Sequence, residues 1–235
     1  MNSGLISYLA RTVQQLQEMF KSPTNLSYSQ CGEDCIVRFL AQQVGVSITS
    51  YFDIGANEPV EGSNTYRFYR EGAKGVCVEP IPEMASAFAR SRRRDIVLSK
   101  VVSGRSGKMD FHVINPFTLS TFDYEARDRA LQTPGSQLIK TISVEAVTLD
   151  SLFLQYGVPD FVSIDVEGGD LDLLTGWDMR KYRPPILCVE DLKYDTKRGD
   201  KQSLGVADYL VGHNYMLFAD TFINCILIDR NLWRQ

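Results

Sequence analysis

Acidic residues recur in this chain at one kind of place, in or just after a short apolar run. Asp53 lies in Tyr51-Phe52-Asp53-Ile54, Glu79 follows Val76-Cys77-Val78, Asp165 and Glu167 follow Phe161-Val162-Ser163-Ile164, and Glu190 and Asp191 follow Ile186-Leu187-Cys188-Val189. Runs of that length read as buried strands. In an open parallel sheet the C-terminal ends of the strands share one edge, and ligands bind there. Carboxylates crowded at such an edge repel one another unless a cation, a proton or the hydroxyls of a ligand satisfies them. Two chemistries suit them: removal of a proton from an alcohol, or capture of a divalent ion by carboxylate oxygens. Asp165, Glu167 and Glu190 are the candidates for catalytic base, and the same three are the candidate metal ligands.

The turn after the first run, Gly55-Ala56-Asn57-Glu58-Pro59, is built of residues that let a ligand come close to the backbone. Ser63 and Asn64 offer caps for a helix carrying Tyr66, Phe68 and Tyr69, and Gly72 closes it. The next strand then delivers Glu79 where a carboxylate can accept both hydroxyls of a ribose. The turn is not G-x-G-x-x-G, and no G-x-x-x-x-G-K-[ST] occurs in the chain, so a pyrophosphate has no cradle. Asp53 and Glu58 would repel it and would attract a cation. S-adenosylmethionine, which carries a sulfonium and an ammonium, meets that description. The competing reading of this turn, taken alone, is an ordinary strand-to-helix connection whose acids only cap and solvate.

The elements that must position these residues alternate along the chain. Leu5, Ile6, Leu9, Val13, Leu16, Met19 and Phe20 have helical spacing, and Pro23 ends that pattern. A second helix over 35–44 follows Ser29-Gln30-Cys31-Gly32-Glu33-Asp34. Further helices are expected over 82–92, 147–156 and 203–212, and strands over 96–102, 108–114, 215–219 and 222–228. Val101, Val102 and Ser103 would lie where an adenine could rest. Residues 115–140 show little periodicity and read as a long loop covering an acceptor site, or as a disordered insertion. The last two strands are joined too tightly for a parallel crossover, so they form an antiparallel hairpin.

Composition narrows the class. A chain of 235 residues, 44% hydrophobic and 23% charged, suits one well-buried α/β domain, and no apolar run reaches the length of a membrane span. The start lacks the pattern of a signal peptide, so the expected location is cytoplasmic. A formal net charge of -4 argues against nucleic acid as a partner. The basic run Arg90, Arg92, Arg93, Arg94 reads as a solvated helix end that could also touch an anionic group. The five cysteines lack paired metal spacing, and Cys77, Cys188 and Cys225 read as core. Of the two histidines, His112 and His213, neither falls at the acidic edge.

Three motifs, Tyr28-Ser29-Gln30-x-Gly32-Glu33-Asp34, Asp53-Ile54-Gly55-Ala56-Asn57 with Ser63-Asn64-Thr65 and Glu79-Pro80, and Ile164-Asp165-Val166-Glu167-Gly168, occur in this order. Through them the chain, from Tyr28 to Ile228, resembles the FkbM-type S-adenosylmethionine-dependent methyltransferases. The resemblance implies a class I methyltransferase fold, α/β, with a doubly wound, mostly parallel seven-stranded sheet ending in the antiparallel hairpin. It divides the chain into an N-terminal helical segment, 1–46, carrying the first motif, and a methyltransferase domain, 47–235, in one globular unit. The implied activity is O-methylation of a hydroxyl on a sugar, glycolipid or polyketide-like acceptor, by a monomer or a homo-oligomer.

By the same resemblance, Asp53, Gly55 and Asn57 line the methionine part of the cofactor and Glu79 holds the ribose. Gln30 and Glu33 reach over to its amino acid end, and Asn64, Pro80, Ser103 and Asp165 complete the cofactor set. Two departures from the family pattern stand out: Glu58-Pro59 after Asn57, and Asp170 in place of a glutamate. A nicotinamide oxidoreductase on the same sheet and a non-catalytic cofactor-binding protein are the rival expectations.

Overall fold

The computed structural model describes residues 26–166, 169–192 and 203–233. Glu167 and Gly168, the first helical pattern at 5–20 and the side chain of Asp170 lie outside the described residues. The elements run α1 (Glu33–Gln43), β1 (Ser50–Ile54), α2 (Tyr66–Arg70), β2 (Lys74–Val78), α3 (Pro82–Ser91), β3 (Ile96–Leu98), β4 (Val101–Val102), β5 (Gly107–Asn115), α4 (Tyr124–Ala130) and β6 (Gln137–Val147). They continue with α5 (Leu149–Tyr156), β7 (Phe161–Ile164), α6 (Asp170–Thr175), β8 (Ile186–Glu190), α7 (Val206–Gly212), β9 (Tyr215–Asp220), β10 (Asn224–Asp229) and α8 (Arg230–Trp233).

Seven strands form one sheet in the order β3-β2-β1-β7-β8-β10-β9. The first five are parallel to their neighbours, and β10 enters antiparallel between β8 and β9. This is the expected doubly wound sheet with its terminal hairpin. Side chains alternate between its faces with the period of two that a pleated strand imposes. Phe52 and Ile54 face one core with Val162, Ile164, Leu187 and Val189, covered by α5, α6 and α7. Tyr51 faces the other with Cys77, Phe161, Cys188 and Ile226, covered by α1, α2 and α3. Parity therefore sends Asp53 to the second face, beneath α2 and α3. Cys77, Cys188 and Cys225 are buried in strands as expected.

The stretch 96–115 departs from expectation. The strand expected over 96–102 breaks at Ser99-Lys100: β3 pairs with β2 in the main sheet, while β4 pairs with β6 in a separate three-stranded sheet of order β4-β6-β5. The supposed loop 115–140 holds a 3-10 turn at Phe117–Leu119, helix α4 and the start of the long strand β6. Asp123 caps α4 by accepting from the Ala126 amide at 2.6 Å. The small sheet buries Phe111, Val113 and Val144 against Ile81 and Met84 at the start of α3.

The basic run is a solvated helix end at Arg90, Arg93 and Arg94, which are exposed, but not at Arg92. Arg92, just past α3, is fully buried. A guanidinium can be buried only where its donors are met. Here Asp95, Ser63, Thr65 and the Pro59 carbonyl receive them.

Candidate active site

The C-terminal ends of β1, β2, β7 and β8 open into a cavity of ≈ 570 Å³. Gly55 makes that convergence possible. Its φ is +77°, and a Cβ there would stand 1.7 Å from the Asp165 carbonyl oxygen. Only glycine lets the turn after β1 touch the turn after β7. The backbone then steps across the sheet, with Gly55 and Ala56 amides donating to the Val78 carbonyl at 3.0 and 3.1 Å and the Asp165 amide donating to the Ile54 carbonyl at 2.9 Å.

Most of the expected site residues meet in the cavity wall: Gln30, Asp53, Gly55, Asn57, Asn64, Glu79, Pro80, Asp165 and Glu190. Glu79 is buried, and its two carboxyl oxygens accept from the Asn57 amide at 2.9 Å and the Ile81 amide at 2.7 Å. Burial outweighs those hydrogen bonds and pushes its pKa up to about 7. Asn57 itself sits at φ 46°, a left-handed position that asparagine tolerates better than most residues. Asn64 donates from Nδ2 to the Ser163 hydroxyl at 3.1 Å, while its buried Oδ1 has no partner among the described residues. Asp53 accepts a short hydrogen bond from the Thr65 hydroxyl and lies 3.5 Å from Arg92. Burial pushes Asp53 above the usual carboxylate range, against the pull of Arg92 and Thr65.

Two expected residues are turned elsewhere. Glu33, at the start of α1, is fully buried but outside the wall. It accepts from the Cys31 amide at 2.8 Å, the Thr221 hydroxyl at 2.8 Å and Asn224 Nδ2 at 3.1 Å, tying α1 to the turn between β9 and β10. Burial pushes its pKa up, but these hydrogen bonds overcome it and hold the group below its ordinary value. Ser103 is buried and donates to the Arg105 carbonyl at 2.9 Å, so its hydroxyl serves its own turn. The neighbouring Lys100, Val101 and Val102 do reach the wall. Asp34, beside Glu33, receives Ser27, Ser29, the Tyr28 amide and Arg67, which closes the loop that carries Gln30.

The small sheet supplies what sequence reasoning missed. Phe111 of β5, Phe117 and Leu119 of the 3-10 turn, and Phe122 form an apolar flank of the cavity. The Phe122 ring occupies the space where a Cβ of Gly169 would stand, which seats this flank against the start of α6. A signal for it was present in the alternation of Ile142, Val144 and Ala146 with polar neighbours. His112 points to the other side of β5, where Nδ1 meets the Thr141 hydroxyl at 3.0 Å and the ring packs on Tyr124. His213 is the C-cap of α7 and is not among the wall residues. No group of three or more His, Cys, Asp or Glu among the described residues could hold a metal ion. No described helix is long and apolar enough to cross a membrane.

A family model described as "Methyltransferase FkbM domain" matches residues 53–217. Among solved structures, a methyltransferase FkbM from Methylobacillus flagellatus aligns at 14% identity and TM-score 0.45, over 78% of this chain and 45% of that one. The present chain thus spans less than half of that relative. An O-methyltransferase from Bacillus cereus, in complex with SAH, aligns at 15% identity and TM-score 0.41, over 92% of this chain and 88% of that one. A comparison with curated proteins finds no match.

Proposed function

The chain belongs to the FkbM methyltransferase family, and on that premise we propose that it moves a methyl group from S-adenosylmethionine to a hydroxyl of a sugar, glycolipid or polyketide-like small molecule. The observation that carries this reading is the wall itself, where Asp53, Asn57, Asn64 and Glu79 line one cavity with Asp165 and Glu190. The cofactor fits the residues present. Glu79 accepts one backbone amide on each oxygen and has lone pairs left for ribose hydroxyls. The buried Asn64 Oδ1 needs a donor, which an ammonium or a hydroxyl would supply. The acids at the turn suit a cation rather than a phosphate.

When bound, the cofactor supplies an electrophilic methyl group on a positively charged sulfur. The protein's part is to hold an acceptor oxygen within about 3 to 3.5 Å of that carbon and in line with the bond. The Phe111, Phe117 and Phe122 flank excludes water beside the acceptor, and an excluded solvent strengthens every charge interaction inside. An alcohol must give up its proton as it attacks, and Asp165 or Glu190 takes it. Glu167 is a third candidate for that role. The second office expected of these three, holding a divalent ion, has no cluster among the described residues to support it.

The test is calorimetric titration of S-adenosylhomocysteine, and separately of NAD, into wild type and Glu79→Ala. The expected result is binding of the homocysteine nucleoside to wild type and at least tenfold weaker binding to the variant, about 1.4 kcal/mol. Binding of NAD instead, or of neither, overturns the reading.

A further inference from the structure

We propose that Arg92, which does not itself reach the cavity, is a positioning residue for the cofactor site: through Thr65 and Ser63 it fixes the Asp53 carboxylate and the 59–65 loop against the end of β1. The proposal rests on the cofactor reading above and names a residue that reading does not contain. Arg92 stands outside the cavity wall, whereas Asp53 and Ser63 are part of it. The guanidinium spends its donors in three directions. Nε donates to Asp95 Oδ2 at 2.7 Å, Nη2 donates to Thr65 Oγ1 at 2.7 Å, and Nη1 donates to Ser63 Oγ at 3.2 Å and to the Pro59 carbonyl at 3.4 Å. The Thr65 hydroxyl in turn donates a hydrogen bond to Asp53 Oδ2, the same oxygen that lies 3.5 Å from Nη1.

A planar fork is needed for this, because one group must meet the end of α3, the loop before α2 and the end of β1 at once. The aromatic rings of Tyr51 and Phe88, 5.3 and 5.2 Å from the guanidinium carbon, hold its plane. Asp95 is fixed in turn by the Tyr51 hydroxyl at 2.6 Å and the Gly75 amide at 2.8 Å, so the fork is anchored on β1 and β2 as well as on α3.

The charge count adds a second, independent reason. One guanidinium faces two carboxylates, Asp53 and Asp95, so with both ionised one negative charge is in excess within a buried group. Asp95 has its own hydroxyl, amide and guanidinium donors, so the excess is expressed at Asp53, the member that lines the cavity. A proton, which burial already favours on Asp53, or a cationic ligand group balances it. An ammonium or a sulfonium meets that requirement, and a plain nucleoside does not.

The test uses two probes that differ only beyond the ribose, S-adenosylhomocysteine, which carries an amino acid end, and adenosine, which lacks it. Both are titrated by calorimetry into wild type, Arg92→Lys, Thr65→Val and Thr65→Ser, with melting temperature followed for each. Thr65→Val removes the hydroxyl between Arg92 and Asp53 without removing the buried charge, so it reports even if Arg92→Lys does not fold. The expected result is at least tenfold weaker S-adenosylhomocysteine binding in Thr65→Val, a change under twofold for adenosine, and recovery in Thr65→Ser. Equal losses for both probes, or unaltered S-adenosylhomocysteine binding in folded Thr65→Val, overturn the positioning role and leave the cofactor reading standing. Wild type that binds neither probe overturns the cofactor reading, and this proposal with it.

Discussion

Two pairs of acids in this protein have the same residue types, similar burial and opposite offices. Glu33 and Asp34 open α1; Asp53 is the next-to-last residue of β1 and Glu79 directly follows β2. Glu33 takes donors from an amide, a hydroxyl and a carboxamide, all supplied by the protein, and its pKa falls. Glu79 takes two amides, and burial carries its pKa up to about 7. The lesson is that burial alone does not mark a functional carboxylate. What separates the pairs is whether the fold supplies enough donors or leaves part of the demand to something that binds.

Three experiments can break or sharpen that contrast. The largest effect is expected from Gly55→Ala, which attacks the backbone that brings the second pair to the cavity. A methyl group at that point would overlap the Asp165 carbonyl, which cannot swing aside, so a loss above about 4 kcal/mol in chemical denaturation is expected. A folded, stable variant would mean that β1 and β7 do not meet so closely.

Next comes Asp34→Ala, aimed at the first pair. It takes from Arg67, which is 8% exposed, its fully buried partner and leaves it the half-exposed Glu71 and the Leu26 carbonyl; removal of one member of a buried ion pair costs about 3–5 kcal/mol. A loss within about 0.5 kcal/mol, the range of an ordinary surface change, would show that the knot around Asp34 holds nothing.

The smallest effect is a pH dependence. The Glu79 pKa is raised from the ordinary 4.5 to about 7, so the protonated form belongs to the free folded state. Its contribution to stability is full below pH 4.5 and is lost as pH rises through 7. Ribose hydroxyls favour the ionised form, so the affinity for S-adenosylhomocysteine should rise with pH, by at most about tenfold per unit, and level off above 7. Calorimetry from pH 5.5 to 8.5 on wild type and Glu79→Gln checks this, and a flat wild-type profile would contradict it.

The second pair was legible in the sequence because strand, turn, helix, strand and acid are all local, packed between Tyr51 and Glu79. The final antiparallel hairpin followed from its tight connection, and the doubly wound, mostly parallel sheet from the family resemblance, while the strand order came only with the structure. Arg92 was not legible. A run of arginines after a helix has the same signature whether it meets water or Asp53, and the residues it meets stand 27 and 29 positions away at Thr65 and Ser63. The partners of Glu33 were hidden for the same reason, since its donors at 221 and 224 are far along the chain. The small sheet was hidden differently. Its outer residues on β6, such as Leu138 and Ile139, are exposed, so hydrophobic and buried positions fall out of step there and the period of two is blurred until Ile142.

The reach of Glu33 also sets an order of events during synthesis. Its bond to Asn224 joins residues 191 positions apart, and β10, which carries Asn224, is the strand that separates β8 from β9. A growing chain can pair β1 with β2 and β7 as soon as they emerge, but contacts this distant close late. Until the ribosome has passed residue 224, Glu33 has the nearby Cys31 amide but not the Thr221 hydroxyl or the Asn224 carboxamide, so two of the three groups that meet its buried carboxylate arrive only with the turn into β10.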